Sequence, residues 1–350
     1  MNPRVKKLRF SFAPSGIDAF LVTKDINISY LTTFPASESW LLVCPHEVFY
    51  LTDFRYVLEA KKGLKGVTVI QYQKSIDEAF AQITRRLGVR RVGIDARHLS
   101  LFQFESLKKK SPPSLNLVRT DQLVERLREL KEPQEVKKIR QALAVHKQMH
   151  AFLKRILKPG LSENEILMRL EEFIRMRGVK FSFDPIVAGG TNACYPHAKV
   201  TQRKIRRDDV VLVDVGIDQN GYKSDLTRMF FLGRIPPLVR ETDAVVAAAQ
   251  RKAIEKIAPG VPISQIDRAA RNYLAEHKLA QYFGHALGHG VGLEIHENPR
   301  LSADNPFLLR EGMVITVEPA VYIPRQFGIR IEDMVLVTKK GCEVLSDDIH

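Results

Sequence analysis

The sequence predicts two domains: an α/β domain over residues 1–125, then an α+β domain over 133–350 whose two halves repeat each other. Three observations lead there. Short apolar runs alternate with helical stretches in the first third of the chain. A Pro-Pro loop after Lys110 and a charged stretch ending at Pro133 interrupt that texture. Beyond it, one order of features (Pro-Gly, helix, acid-bearing strand, return strand with a second acid) occurs twice, about a hundred residues apart.

In the first domain the apolar runs at 17–23, 40–44, 48–52, 67–72 and 91–95 read as strands, and 76–87 as a helix between two of them. Pro133 suits the first turn of a new helix. Residues 134–157 form it, with Val136, Ile139, Leu143, Met149, Phe152, Leu153 and Ile156 making one apolar stripe that should pack on a sheet. Lys158-Pro159-Gly160 stops it. Pro159-Gly160 with Ile166 recurs as Pro259-Gly260 with Ile266, each pair preceding a helical stretch, 162–177 and 264–277. Each half then delivers an apolar strand holding one carboxylate, Val210-Val-Leu-Val-Asp214-Val-Gly216 and Met313-Val-Ile-Thr-Val-Glu318-Pro319. The returning strands carry Asp225 and Glu332. One such hairpin would be weak support for symmetry. Two helices and an acid-bearing hairpin, repeated in order, argue for an internal two-fold.

Composition narrows the classes. A 45% apolar content is ordinary for a globular chain, and no apolar run reaches the ~18 residues of a membrane helix. The basic N-terminus lacks the apolar core of a secretory signal. Cys44, Cys194 and Cys342 match no metal or disulfide spacing, so a cytoplasmic protein is expected. The net charge of +14 invites a nucleic-acid reading. Its lysines and arginines are dispersed, though, with no interleaved aromatic platform, and no nucleic-acid partner is expected.

Asp214 lies inside a run that reads as a buried strand, where an unpaired carboxylate is costly or stays protonated. Taken alone it could be an ion-paired or hydrogen-bonded acid. Asp225, Glu318 and Glu332 in equivalent settings weaken that reading. Across their hairpins the acids should lie opposite one another, within roughly 5–8 Å at Cβ. Symmetry would then bring four carboxylates to one point, where they repel unless cations neutralise them. The segment Phe283-Gly-His-Ala-Leu-Gly-His-Gly-Val-Gly-Leu-Glu-Ile-His296 supplies His285, His289 and His296, with glycines that permit close backbone approach. Those glycines miss the dinucleotide fingerprint, and neither a Walker sequence nor a Gly-x-Ser-x-Gly elbow occurs. His146 and His150 have zincin spacing, but Lys147 stands where the glutamate would be, so they are expected on the surface.

With these residues in view, the chain resembles the pita-bread metallopeptidases, the group of methionine aminopeptidase, aminopeptidase P and prolidase. The resemblance rests on Asp214, Asp225, His289, Glu318 and Glu332 in order. It also rests on the surrounding Val-Asp-Val-Gly, Asp-Leu-Thr-Arg, Gly-His-Gly-Val-Gly-Leu-Glu-Ile-His-Glu, Glu-Gly-Met-Val-Ile-Thr-Val-Glu-Pro and Arg-Ile-Glu-Asp. Upstream, Asn27-Ile-Ser-Tyr-Leu-Thr-Thr-Phe34 and Leu51-Thr-Asp-Phe-Arg-Tyr56 are similar to the N-terminal domain of creatinase, prolidase and aminopeptidase P.

The resemblance implies two divalent ions per chain, Mn²⁺ first, with Co²⁺, Fe²⁺ or Zn²⁺ open. By it, His289 and Glu318 hold one ion, Asp214 the other, and Asp225 and Glu332 both. It implies hydrolysis of the bond preceding proline by a water bridging the two ions. Glu318 would accept the proton, and His197 and His296 would hydrogen-bond the reacting group. Phe183, His285 and Arg300 would contact substrate, with Thr227, Arg228 and Arg330 orienting the ligands. Arg300 stands where prolidases hold the carboxylate of an Xaa-Pro dipeptide, a contact suited to a guanidinium fork. The alternatives are an Xaa-Pro aminopeptidase on longer peptides and a non-catalytic peptide-binding module. Met229, Ala320 and Lys199-Val200 depart from the usual pattern and touch substrate range, not metal binding. The family resemblance also implies a homodimer.

Overall fold

This is a computed structural model, and it describes residues 2–349; the chain divides after Arg128 into two compact units. The first is built on a six-stranded sheet of β1 (Ala19–Val22), β2 (Trp40–Val43), β3 (Val48–Thr52), β4 (Thr68–Gln71), β5 (Arg91–Asp95) and β6 (Asn116–Thr120), in the order β4-β3-β2-β1-β5-β6. β1, β5 and β6 run parallel, as do β3 and β4, while β2 is antiparallel to both its neighbours. The α/β expectation holds. The helix Ile76–Leu87 buries Ala79, Phe80 and Ile83 in the core formed with Leu21, Leu42, Phe49 and Val92.

In the second unit the long helix spans Pro133–Ile156. Pro133 opens it, and the Glu135 carboxylate accepts from the backbone N–H of Glu132 at 2.9 Å. Along its apolar stripe Ile139, Leu143, Met149 and Leu153 are buried, and Val136, Phe152 and Ile156 are half-buried. The surface placement of His146 and His150 is corrected: both are buried. They fall at helical spacing from Ile139, Ala142 and Leu143, on the stripe that faces inward. His146 Nδ1 lies 3.3 Å from Ser224 Oγ, and the His150 ring is 5.1 Å from that of Phe230. Burial drives the His146 pKa down to about 3, so it sits in the core as a neutral imidazole.

The duplication is visible strand by strand. β7 (Lys180–Phe181) and β8 (Ile186–Gly189) lead into β9 (Val210–Val215), β10 (Ile217–Gln219), β11 (Tyr222–Lys223) and β12 (Leu226–Phe231). In the second half β13 (Gly288–Gly290) and β14 (Glu297–Leu301) lead into β15 (Val314–Val317), β16 (Ala320–Ile323), β17 (Phe327–Arg330) and β18 (Asp333–Val337), with β19 (Cys342–Val344) last. Each half is a hairpin within a hairpin. β9 pairs with β12 around the β10–β11 ribbon, and β15 pairs with β18 around the β16–β17 ribbon. The helices Glu163–Arg175 and Ile263–Glu276 occupy matching positions before them. The four acids sit at or beside the breaks between inner and outer ribbons. There a strand leaves its sheet, and a side chain can point along the seam between the halves.

Candidate metal centre and active site

β9 is buried along its whole length, and Asp214 is carried in with it. The expected pairing of the acids needs one adjustment. Thr227, not Asp225, is the cross-strand partner of Asp214, so Asp225 lies diagonally, one step off along the same face. The cause is the turn at Asn220-Gly221: β10–β11 continues the register of β9–β12, and counting back from that turn puts Thr227 opposite Asp214.

The four carboxylates and His289 meet at one buried point. His289 Nε2 lies 3.3 Å from Glu318 Oε1 and 3.6 Å from Asp225 Oδ2. Asp225, His289 and Glu332 present ligand atoms within 4.8 Å of one another. The Thr227 hydroxyl donates to Glu332 Oε2 at 2.8 Å, and the Thr316 hydroxyl to Glu318 Oε1 at 3.2 Å. His289 Nδ1 donates to the Gly290 carbonyl at 3.1 Å, which leaves Nε2 as the lone-pair nitrogen facing the acids. Close strand approach is built into this segment: a Cβ at Gly288 would lie 2.1 Å from the Thr316 carbonyl oxygen.

The electrostatics are those of a site short of positive charge. Burial and the charges of Glu332, Asp214 and Glu318 hold the Asp225 carboxyl well above its usual range. Burial, then Glu318 and Asp214, do the same to Glu332. Burial pushes Glu318 up to about 8 and His289 down to about 4. Arg330 is the buried cation nearby. It pairs with Asp214 Oδ2, donates to Thr227 Oγ1 at 2.9 Å and to the Pro196 carbonyl at 3.1 Å, and contacts the Tyr322 hydroxyl. Asp214 Oδ1 is buried with no partner among the described residues. An orphaned carboxylate oxygen beside three more acids and an imidazole lone pair is a donor set that fits divalent cations.

Of the other expected residues, His296 stands against this point directly. The His296 ring stands edge-on to His289, centroids 4.3 Å apart. His197 is exposed beside Pro196, the residue that Arg330 tethers; burial holds the Asp214 carboxyl above its usual range, with Arg330 as the main opposing influence. His285 lies upstream of β13 rather than on that strand, its Nε2 3.5 Å from the Tyr322 hydroxyl, and burial lowers its pKa to about 4. The Phe183 ring lies against Gly216, where a Cβ would come within 2.6 Å of its Cε1. Arg300 is exposed and is the cross-strand partner of His289. Arg228 donates to the Glu332 carbonyl and, at 2.7 Å each, to Asp333 Oδ1 and the Ile349 carbonyl.

Two residues escaped the sequence reading. Tyr322 joins Arg330 to His285; its spacing of two from Ala320, and of four from Glu318, was the available signal. Glu163 is fully buried and accepts from Gly189 N, Asn192 Nδ2, Thr201 N and Thr201 Oγ1 at 2.6–3.0 Å. It therefore clamps both flanks of the 189–201 segment that carries His197. Nothing in Leu-Ser-Glu-Asn distinguishes it from an ordinary acidic first helical turn.

Comparison with known proteins agrees with this geometry. The family model described as Metallopeptidase family M24 matches residues 137–339, and that of the Creatinase/Prolidase N-terminal domain matches 4–130. An Xaa-Pro dipeptidase of Pyrococcus horikoshii is 35% identical over 350 residues, covering 99% of this chain and 97% of that protein. Among solved structures, the Xaa-Pro dipeptidase from Bacillus anthracis superposes with a TM-score of 0.95 at 33% identity, covering 98% of this chain and 97% of that one. The X-Pro aminopeptidase from Thermotoga maritima gives 0.87 at 31%, with 96% and 97% covered. M24 membership carries divalent metal ions and peptidase chemistry with it, on the pita-bread fold seen in the duplicated unit. The chain belongs to metallopeptidase family M24, with a creatinase/prolidase-type domain ahead of its catalytic one.

Proposed function

We propose that the protein hydrolyses the peptide bond preceding proline, Xaa-Pro dipeptides above all, with two divalent ions held by Asp214, Asp225, His289, Glu318 and Glu332. The observation that carries this reading is the buried convergence of those five side chains, with Asp214 Oδ1 lacking a hydrogen-bond partner among the described residues. In this reading His289 and Glu318 would hold one ion, Asp214 the other, and Asp225 and Glu332 would serve both; Mn²⁺ is the ion proposed. What the ions supply when bound is Lewis acidity and a water acidic enough to act as hydroxide near neutral pH.

The chain's own residues do the rest. Glu318, its carboxyl drawn up by burial, takes the proton of the attacking water at Oε1 and passes it to the departing proline nitrogen. His197 and His296 hydrogen-bond the carbonyl oxygen as charge develops there. Arg330 holds Asp214 and the Pro196 carbonyl together, which fixes His197 relative to the acids. Phe183 and His285 line the proline side. The Arg300 guanidinium takes the free carboxylate that follows proline in a dipeptide; its pairing across from His289 supports this.

The deciding measurement is hydrolysis of an Xaa-Pro dipeptide and of a longer Xaa-Pro-Yaa-Zaa peptide by Mn²⁺-loaded enzyme. The dipeptide is expected to be the better substrate by kcat/KM. Arg300→Ala should raise its KM roughly tenfold or more while leaving the longer peptide nearly unchanged. Cleavage of the longer peptide alone would make the protein an Xaa-Pro aminopeptidase.

Glu163→Gln provides a second check. It keeps the side-chain shape but replaces one accepting oxygen by a donor amide that faces other donors. We expect kcat to fall roughly tenfold with KM and bound metal little changed, because His197 loses its fixed position. Unaltered kcat would remove Glu163 from the positioning of His197.

We propose further that the protein is cytoplasmic and homodimeric. Free Cys44, Cys194 and Cys342 support the reducing compartment. Among the described residues no helix is long and apolar enough to cross a membrane.

A further inference from the structure

A second cluster of metal-ligating side chains lies in the first unit, on elements the peptidase chemistry does not use. Asp95 ends β5, His98 stands in the turn that follows, and Glu125 begins the short helix Glu125–Arg128. His98 Nε2 is 2.9 Å from Glu125 Oε1 and 3.8 Å from Asp95 Oδ2. Ligand atoms of all three residues lie within 4.8 Å of one another. Asp95 and Glu125 are both buried, and His98 is partly open to solvent.

Like the catalytic cluster, this one holds a buried carboxylate oxygen with no hydrogen-bond partner among the described residues. Glu125 is 7% exposed, and its Oε2 has no hydrogen-bond partner among the described residues. Its Oε1 accepts from Asn27 Nδ2 at 2.6 Å besides facing His98. Arg128 donates to Asn27 Oδ1 at 2.7 Å. Arg97 directs its side chain to Asp121 at 2.6 Å, and of Asp95 it meets only Oδ1, through its backbone N–H. Two buried carboxylates therefore face one imidazole. Burial and the neighbouring Glu125 charge hold the Asp95 carboxyl above its usual range. Donor atoms sharing a first-row ion at bond lengths of about 2.0–2.2 Å lie roughly 3–3.5 Å apart, within the 4.8 Å that contains a ligand atom of each residue here.

We propose that Asp95, His98 and Glu125 form a third divalent-metal site, taking Zn²⁺ or Co²⁺ through His98 Nε2 and one oxygen from each carboxylate. Glu125 Oε2 gains the partner it lacks, and the exposed edge of His98 leaves a coordination position for water. One nitrogen with carboxylate oxygens suits these borderline ions. The ion clips the end of a central strand and its turn to the helix that closes the unit, so its role is structural.

The test uses the full chain loaded with Zn²⁺ and dialysed. Metal analysis should find three ions per chain in the wild type and two in His98→Gln, a variant that retains a donor toward Glu125. Equal stoichiometry in the two proteins overturns the site. Because His98→Gln could disturb folding, anomalous diffraction from Zn²⁺-soaked crystals of the wild type is the second measurement. A peak between His98 Nε2, Asp95 and Glu125 supports the proposal, and no peak there overturns it.

Discussion

Asp225→Asn is expected to abolish hydrolysis, lowering kcat by roughly 10³-fold or more, about 4 kcal/mol of transition-state stabilisation. The proposed role of Asp225 is to span both ions, and an amide offers one weak neutral donor in place of two charged oxygens. Metal analysis should find the variant holding one ion or none after dialysis. The same substitution should stabilise the metal-free protein. Asp225 lies within reach of the Glu332, Asp214 and Glu318 charges and is fully buried, so without cations its ionised form opposes folding. The thermal midpoint in EDTA should accordingly rise in Asp225→Asn while activity disappears. Two retained ions with full activity would end the assignment of Asp225 as a ligand of both ions.

The opposite signs of those two effects explain why this site was legible in the sequence. A carboxylate inside Val-Val-Leu-Val-Asp-Val-Gly has no inexpensive structural use, so the improbable position itself pointed to a ligand. The repeat made the argument collective: four acids at matching breaks in two nested hairpins are hard to explain singly. The glycines around His289 were readable because Gly288 admits a neighbouring backbone where a Cβ would collide. Other parts depended on contacts that sequence spacing does not encode. Arg330 touches Asp214, Thr227, Tyr322 and Pro196, positions up to 134 residues away. His146 and His150 are expected on the surface because Lys147 replaces the zincin glutamate, but helical spacing puts them on the buried stripe. Edge strand β6 was missed because its half-exposed Asn-Leu-Val-Arg-Thr carries little alternation.

Removing the metal should make stability depend on pH in a direction unusual for a protein with buried acids. Glu318 is raised from 4.5 to about 8, and Asp225 and Glu332 are raised well above their usual range. A carboxyl whose folded pKa is raised stabilises the fold below its unfolded pKa, and that stability is lost as pH climbs through the folded value. His289 and His285 have the reverse sign: each is lowered from 6.5 to about 4, so their contribution is present above pH 6.5 and lost below it. The two trends oppose each other between roughly pH 4.5 and 6.5, whereas only the carboxyls act from 6.5 to 8. The metal-free protein should therefore lose about 2 kcal/mol for Glu318 over that interval, and more with its neighbours, a fall of several degrees in thermal midpoint. Divalent ions bind the ionised acids, so the stabilisation by Mn²⁺ should be larger at pH 8 than at pH 6.5. Thermal melts of EDTA-treated and Mn²⁺-loaded protein across this range check both slopes. A metal-free midpoint that rises from pH 6.5 to 8 would mean that the carboxylates are neutralised by protein groups, and that the ions are not needed to hold the four acids together.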